Sequence, residues 1–479
     1  MNILNNLKWN GVCFGLCVTG ALLWSRAAAA EVTLIDKDGW SFSFDGRVNA
    51  FLSVGFGDDF PLPTPNPVPN PDTTVGGLVD GPDHKVMGST GADGAIPNVG
   101  WQSSTQQNKD NSYFGMRVRS GMLGNVLGFG LKRQINAQNS IKAYVSIWST
   151  IETLGRDKWA PINAEAREGY FTSTGPWGTA TLGRTLGIFG RMSAEIDFLY
   201  GHGYGVGIPC SDALGPTCGH IGTGVMYPGY SAGGAYSTPS LGGLQLHAGL
   251  YDPVVFTGVW SRAPLLRPEG AISFETALGT AGKLRVEGEG LYQPLARVTS
   301  TTDGAGNEVK KDESTSVWGV AGGGRIEVGP VRLGVSGFRG KGLGLSYALH
   351  KSDVNLDSET GEFRMFTGFY GQAAVVAGKF HVTVGGGAAS ADQLTSDAAN
   401  IGLSAIKSQT GISAALYFHA TDSVVVGLDY FRFMARWYGA ARSAWDPNSP
   451  TTGILVGGAP IAGEKQDLNF INAGVTYHW

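Results

Sequence analysis

The chain has 479 residues, with 35 Lys plus Arg against 39 Asp plus Glu, a formal charge of −4 and only 15% charged residues. A nucleic-acid binder is expected to be basic, so this balance excludes that class of partner. Soluble domains carry about a quarter charged residues; here charge is scarce, glycine fills 74 positions and aromatics make up 10%, which suits many short strands whose outer face meets lipid.

Residues 1–30 read as a signal peptide. Lys8 supplies a positive start, Gly11 to Trp24 is apolar, and Ala27 to Ala30 offers an A-x-A cleavage site before Glu31. The apolar stretch is too short to span a bilayer. Cys13 follows Val12 and Cys17 follows Leu16, where a lipidation signal needs a small residue. Residues 31–479 then form one domain, with 33 bases against 39 acids. In this part only Cys210 and Cys218 remain, and a lone close pair in an exported protein favours a disulfide.

No later segment has the ~20 uninterrupted apolar residues of a membrane helix. Alternation of period two dominates instead, which marks strands with one apolar side. From Ser41 to Phe56, the residues Phe42, Phe44, Val48, Leu52, Val54 and Phe56 oppose Ser43, Asp45, Arg47, Asn49 and Ser53. Further on, Ile141, Ala143, Val145 and Ile147 oppose Lys142, Tyr144 and Ser146. Leu244, Leu246 and Leu250 oppose Gln245 and His247; Leu284 and Val286 oppose Arg285, Glu287 and Glu289. The same pattern returns at Phe380 to Val384, at Ile412 to Phe418 and at the end, where Ile471, Val475, Tyr477 and Trp479 share a face.

Connections alternate in length. Short ones with turn chemistry fall at Gly175-Pro176, Pro239 to Gly243, Gly279 to Gly282, Gly329-Pro330 and Ala420 to Ser423. Long ones lie between, at 58–110, 152–164, 185–223, 254–269, 296–313, 341–362, 391–407 and 439–465. Short turns at one rim and long loops at the other predict an all-β transmembrane antiparallel barrel of about 16 strands. The first strand is near Ser41 to Gly57 and the last near Asp467 to Trp479. The Pro-rich run Pro61 to Pro71 lies inside the first long loop, so no second domain is expected.

Several stretches carry a family likeness. They are Asp36-Lys37-Asp38-Gly39 with its following strand, Ser112-Tyr113-Phe114-Gly115, and Arg167-Glu168-Gly169-Tyr170-Phe171 with Trp177 to Arg184. Tyr236 to Leu244 and the aromatic C-terminus complete the set. On these residues the chain resembles the general, non-specific porins of Gram-negative bacteria, which are trimers of 16-stranded barrels. It departs from them in ending on Trp479 rather than Phe, in its long first loop, and in a Cys pair where the constriction loop commonly has Pro-Glu-Phe.

The resemblance implies that the segment 185–223 folds inward as a constriction loop carrying Glu195, Asp197 and Asp212. It implies bases on the opposite wall, for which the candidates are Arg47, Arg117, Lys142, Arg167 and Arg184. Strict alternation places Arg184 on the face of Ala180 and Leu182, so a lumen role for it requires a bulge or a strand end by Gly183. Fixed charges act strongly in a confined lumen, and the two loop acids imply weak cation preference. The implied function is a water-filled pore for small hydrophilic solutes in the bacterial outer membrane. Its implied partners are two further copies of the chain, with the 152–164 loop reaching a neighbour, and outer-membrane lipid with lipopolysaccharide. A sugar- or anion-specific porin and a plugged structural or adhesive barrel are the alternatives. No catalytic residue, metal site or cofactor is expected: the chain has no Walker A match, no H-E-x-x-H and no Cys-x-x-Cys, and its glycine-rich runs lack a strand–helix unit.

Overall fold

The computed structural model describes residues 32–58, 112–149, 151, 164–199, 219–256, 259–304, 306–349, 356, 360–394, 406–438, 443–445, 454–456 and 465–479. The signal peptide, the first long loop, the 152–164 loop, Asp212 and the pair Cys210 and Cys218 lie outside the described residues.

The first strands are β1 (Val32–Lys37), β2 (Trp40–Asp58), β3 (Ser112–Arg119), β4 (Asn125–Gln134), β5 (Ser140–Ser149), β6 (Ala164–Gly175) and β7 (Gly178–Leu186). A short helix, α1 (Arg191–Ile196), precedes β8 (Tyr230–Ser237), β9 (Leu244–Tyr251), β10 (Arg267–Ala277), β11 (Gly282–Thr302) and β12 (Glu308–Val328). Then come β13 (Val331–Lys341), β14 (Met365–Ala377), β15 (Phe380–Ala391), β16 (Ile406–His419) and β17 (Val424–Trp437). The minor pair β18 (Ser443–Trp445) and β19 (Ile454–Val456) stands apart, and β20 (Lys465–His478) ends the chain.

Eighteen strands form one antiparallel sheet with sixteen wall positions. Two positions are shared. β3 and β4 both run along the same edge of β2, one at Phe51–Asp58 and the other at Trp40–Arg47. β1 pairs with Trp40–Phe44 of β2, below the place where β20 stops, and so completes the last strand. Closure comes from β20, which pairs with β17 on one side and with β2 on the other. The expected count of about 16 and the expected first and last strands are therefore met.

Alternation decides which side each residue faces. Val48, Leu52, Val145, Leu182, Val335 and Ile471 are exposed on the outer face. Ser43, Arg47, Asn49 and Ser53 of β2 point inward and are buried. Lipid solvates the first set and would strongly disfavour the second, so a one-residue slip of any strand is costly.

The break between β3 and β4 is a large bulge. Six residues, 120–125, stand opposite only three, 48–50. Asn49 holds it from within: its Nδ2 donates to the Leu123 carbonyl at 2.7 Å, and its Oδ1 accepts from the Gly121 amide at 2.8 Å. The Asn49 amide donates to Asn125 Oδ1 at 2.8 Å, and Arg47 Nε donates to the Gly124 carbonyl at 3.2 Å. Backbone groups that lose their ladder partners at the bulge thus regain them from side chains.

One expected loop is not a loop. The sequence predicts a long connection at 296–313, but β11 and β12 stay paired from Gly282↔Val328 to Thr302↔Glu308. The stretch carries Val298, Thr299, Thr301, Thr302 and Val309, β-branched residues that favour strands. Arg297 and Glu313 meet across it at 2.7 Å, and Arg262 adds a bridge to Ala296. Each strand has 21 residues, about twice what a bilayer requires, so the ribbon stands well clear of the membrane.

Replacing Asn49 by Ala leaves buried bulge groups without partners, at a cost of about 1–3 kcal/mol. The variant is expected to unfold at lower urea concentration than wild type, read by the shift of the folded band on unheated gels. An unchanged midpoint would show that the bulge does not depend on this side chain.

Candidate functional site

Between β7 and β8 the chain leaves the wall and enters the lumen. The outgoing arm, 187–199, carries α1, and the return arm is 219–229. The helix packs against β12 and β13, on the far side from the bulge.

Two inward carboxylates hold the outgoing arm. Glu269 of β10 accepts from the amides of Ile188 at 2.7 Å and Phe189 at 2.9 Å through one oxygen. Glu289 of β11 accepts from Gly190 at 2.6 Å and from Met192 at 2.7 Å, one with each oxygen. These amides sit at and before the first helical turn, where N–H groups have no partner within the helix. Gly190 is required at the turn: its φ is +92°, and a Cβ there would meet the Met226 carbonyl.

Charges lock the same arm. Arg191 lies 2.7 Å from Glu287 and 4.0 Å from Glu195. Arg285 lies 2.6 Å from Glu287 and 3.0 Å from Glu195. Arg325 donates to the Glu195 carbonyl at 3.1 Å and pairs with Glu327 at 2.8 Å. Arg267 reaches Glu269 at 2.9 Å. Removing one member of such a buried set strands its partner without compensation, and that cost exceeds what the pair itself contributes.

Asp197 ties the two arms together. Its carboxylate contacts His220 Nδ1 of the return arm at 3.3 Å and accepts from the Leu199 amide and from Gln372 of β14. The His220 ring stacks between Tyr370 and Phe431, 5.1 and 5.5 Å from their centroids. Burial pushes the Asp197 carboxyl up; the His220 contact and hydrogen bonds outweigh it, so the group titrates below the usual carboxylate range. Apolar contacts complete the anchorage. Met192, Ile196 and Val225 pack on Tyr370, while Ala194, Ile221 and Tyr227 reach Leu123, Val126 and Trp148 of the bulged wall.

The candidate bases occupy several places. Arg47 and Arg167 flank the Trp148 ring, 5.6 and 4.4 Å from its centroid. Arg167 also pairs with Glu165 at 2.9 Å. Arg184 stays in the outward series beside Leu182, since its register with Gly169 is unbroken and β7 runs on to Leu186. Its guanidinium turns along the rim to the Arg167 carbonyl and Glu165 instead of entering the lumen. Arg117 donates to the Met116 carbonyl at 2.8 Å, and Lys142 lies over the Tyr144 ring at 5.3 Å.

The geometry does not support the expectation that Glu195 and Asp197 face bases across the lumen. Both acids have nearer partners, Arg191, Arg285 and His220, and are turned toward the wall that holds the loop. Glu269, Glu287, Glu289, Arg191, Arg285 and His220 were not singled out from the sequence as site residues. A signal existed: Arg285-Val286-Glu287-Gly288-Glu289 and Arg267-Pro268-Glu269 place charges on consecutive inward positions of two adjacent strands.

Changing Glu269 and Glu289 together to Ala removes the acceptors of four amides. A loss on the order of 3 kcal/mol is expected, with a noisier single-channel current as the loop leaves the wall. A quiet, unaltered current would contradict the latch. Asp197 contributes stability above its unfolded pKa of about 3.9, and that contribution is lost as pH falls through its lower folded value. Loop noise is therefore expected to rise only well below pH ~4, and an Asp197→Asn variant should lack that acid transition.

A profile described as Gram-negative porin matches residues 17–338. No curated protein matches the chain. Among solved structures, the chain is similar to the outer membrane channel DcaP of Acinetobacter baumannii, at 12% identity and a TM-score of 0.55, with 94% of this chain and 100% of that one covered. It is also similar to an anion-selective porin from Comamonas acidovorans, at 11% identity and a TM-score of 0.52, covering 92% of this chain and 100% of that one. At such identities the likeness is one of fold. With most of its length matched by the profile and its wall closed at sixteen positions around an inward loop, the chain belongs to the Gram-negative porin family and forms a passive-diffusion channel of the bacterial outer membrane.

Proposed function

We propose that small hydrophilic solutes and ions pass beside the latched loop, that the working assembly is a homotrimer seated in lipid and lipopolysaccharide, and that no reaction is catalysed. The observation that carries this reading is the latch: the outgoing arm is bound to β10 and β11 by Glu269, Glu287 and Glu289, which fixes the loop to the wall inside the lumen. The trimer rests on the family likeness.

The Ser–His contacts of His247 do not form a nucleophilic unit. His247 uses both ring nitrogens on hydroxyls, Ser237 at 2.7 Å and Ser273 at 3.2 Å. No ring nitrogen is left for an orienting carboxylate, which nucleophilic catalysis by serine requires.

Selectivity in this reading does not come from Glu195 and Asp197, because Arg191 and Arg285 pair with the first and the second is taken up by Leu199, Gln372 and the His220 contact. A second reading has support in one observation. The loop also touches the bulged wall through Ala194, Ile221 and Tyr227, so it reaches across the lumen and could plug it.

Planar-bilayer recording separates these readings. An open trimer gives a steady conductance that closes in three equal steps; a plugged barrel gives none. In a salt gradient, changing Glu195 and Asp197 to Gln and Asn is expected to leave the zero-current potential where it was. A clear move toward anion preference would return those acids to the ion path.

A further inference from the structure

On the inner face of the wall, Ser53 of β2, Asn472 of β20 and Asp429 of β17 are direct cross-strand partners, in that order. Their inward direction follows from their neighbours, since Leu52, Ile471 and Leu428 are exposed on the lipid side. The row crosses the seam where the last strand closes on the first. Its side chains are buried, with Ser53 and Asp429 1% exposed and Asn472 0%. Asn472 Nδ2 donates to Asp429 Oδ1 at 2.7 Å. Three oxygens of the row have no hydrogen-bond partner: Asp429 Oδ2, Asn472 Oδ1 and Ser53 Oγ.

A buried carboxylate is costly unless a positive charge or several donors compensate it. Asp429 has the one Asn472 donor, and no base among the described residues pairs with it. On its other side it meets Ala415 of β16, which offers no donor. Arg117, opposite Ser53 on β3, is three strands from Asp429, about 14 Å along the sheet, and donates to the Met116 carbonyl of its own strand. The adjoining inward rows bring aromatic rings instead. Phe51 lies on the short-turn side, and Phe431 and Phe470 lie on the loop side, all buried. Apolar surroundings raise the cost of an uncompensated charge and strengthen its attraction for a cation.

We propose that Asp429, Asn472 and Ser53 bind a monovalent alkali cation of the sodium class at the seam of the barrel. Carboxylate and carbonyl oxygens are the ligands that hard cations prefer, and the hydroxyl adds a neutral one. The row brings a single negative charge, so a monovalent ion neutralises it, whereas a divalent ion would leave a buried positive charge. Ligands on β17, β20 and β2 make the ion a clasp between the last strands and the first. Binding does not require conduction, so the proposal goes beyond the pore reading and is tested apart from it.

The test uses the full-length mature barrel, folded in detergent and unfolded by urea, with sodium chloride exchanged for N-methylglucamine chloride at constant ionic strength. Raising sodium from ~5 to ~500 mM is expected to increase the folded-to-unfolded ratio of wild type about tenfold or more, as a ligand bound only by the folded state requires. The Asp429→Asn variant, which removes the charge and keeps the shape, should be indifferent to the exchange. A wild type indifferent to sodium, or an equal response in the variant, overturns the proposal. Infrared difference spectra of wild type against Asp429→Asn, at neutral pH in sodium chloride, should show ionised carboxylate bands. A protonated-carboxyl band in their place means that a proton compensates Asp429, and it overturns the proposal. If Asp429→Asn does not fold, Ser53→Ala replaces it in the sodium series. A smaller response than wild type is then expected, and the full wild-type response overturns the site.

Discussion

In hydrocarbon, no water is present to satisfy a backbone N–H or C=O, so every strand must find a partner on both sides. The rest of this structure depends on that constraint. It explains why β20 pairs with β2 as well as with β17, and why β1 fills the gap left below Trp479. The C-terminal residue itself takes part, exchanging backbone hydrogen bonds with Gly46. The Trp479 ring then settles against Phe44 and Tyr477, where an aromatic side chain suits the membrane boundary.

Closure creates a second problem, because a barrel of this size encloses more space than wall side chains can fill. The inward loop meets it by carrying polar backbone into the lumen, and those amides need acceptors. Carboxylates on β10 and β11 supply them. Buried carboxylates in turn need cations, which Arg191 brings from the loop and Arg267 and Arg285 from the wall. The loop's own acids are consumed in the same network. A charge that serves as an anchor is largely screened from passing ions by its partners, so the residues that hold a constriction and those that read the solute need not coincide.

Much of the wall was legible in the sequence. Period-two alternation identified β2, β5, β9, β15, β16 and β20, and glycine and proline turns located the short rim. The outer β11–β12 ribbon is not legible in the sequence, because polar, Thr-containing strands outside the membrane lack an apolar face to reveal them. The loop's entry into the lumen followed from family likeness, while its anchorage did not. Glu195 and Asp197 are visible as acids, but which bases they meet depends on strand register across residues about 90 to 130 positions away. Arg184 shows the opposite case: its expected lumen role needs a bulge or a strand end by Gly183, and the unbroken register with Gly169 provides neither, so it keeps the outward face that alternation gives. The row of Ser53, Asn472 and Asp429 is a register fact too, because these residues come together only once the barrel closes.

The central claim is closure of the first strand on the last, and interstrand proximity in a lipid bilayer tests it most directly. Solid-state NMR on barrels labelled in β2 and β20 should show close contacts between Leu52 and Ala473 and between Val54 and Ile471, the pairs that face each other across the seam. Finding those contacts, with β2 amides slow to exchange, is the predicted result. Their absence, with rapidly exchanging amides along β2, would mean an open edge in the membrane and would contradict the account.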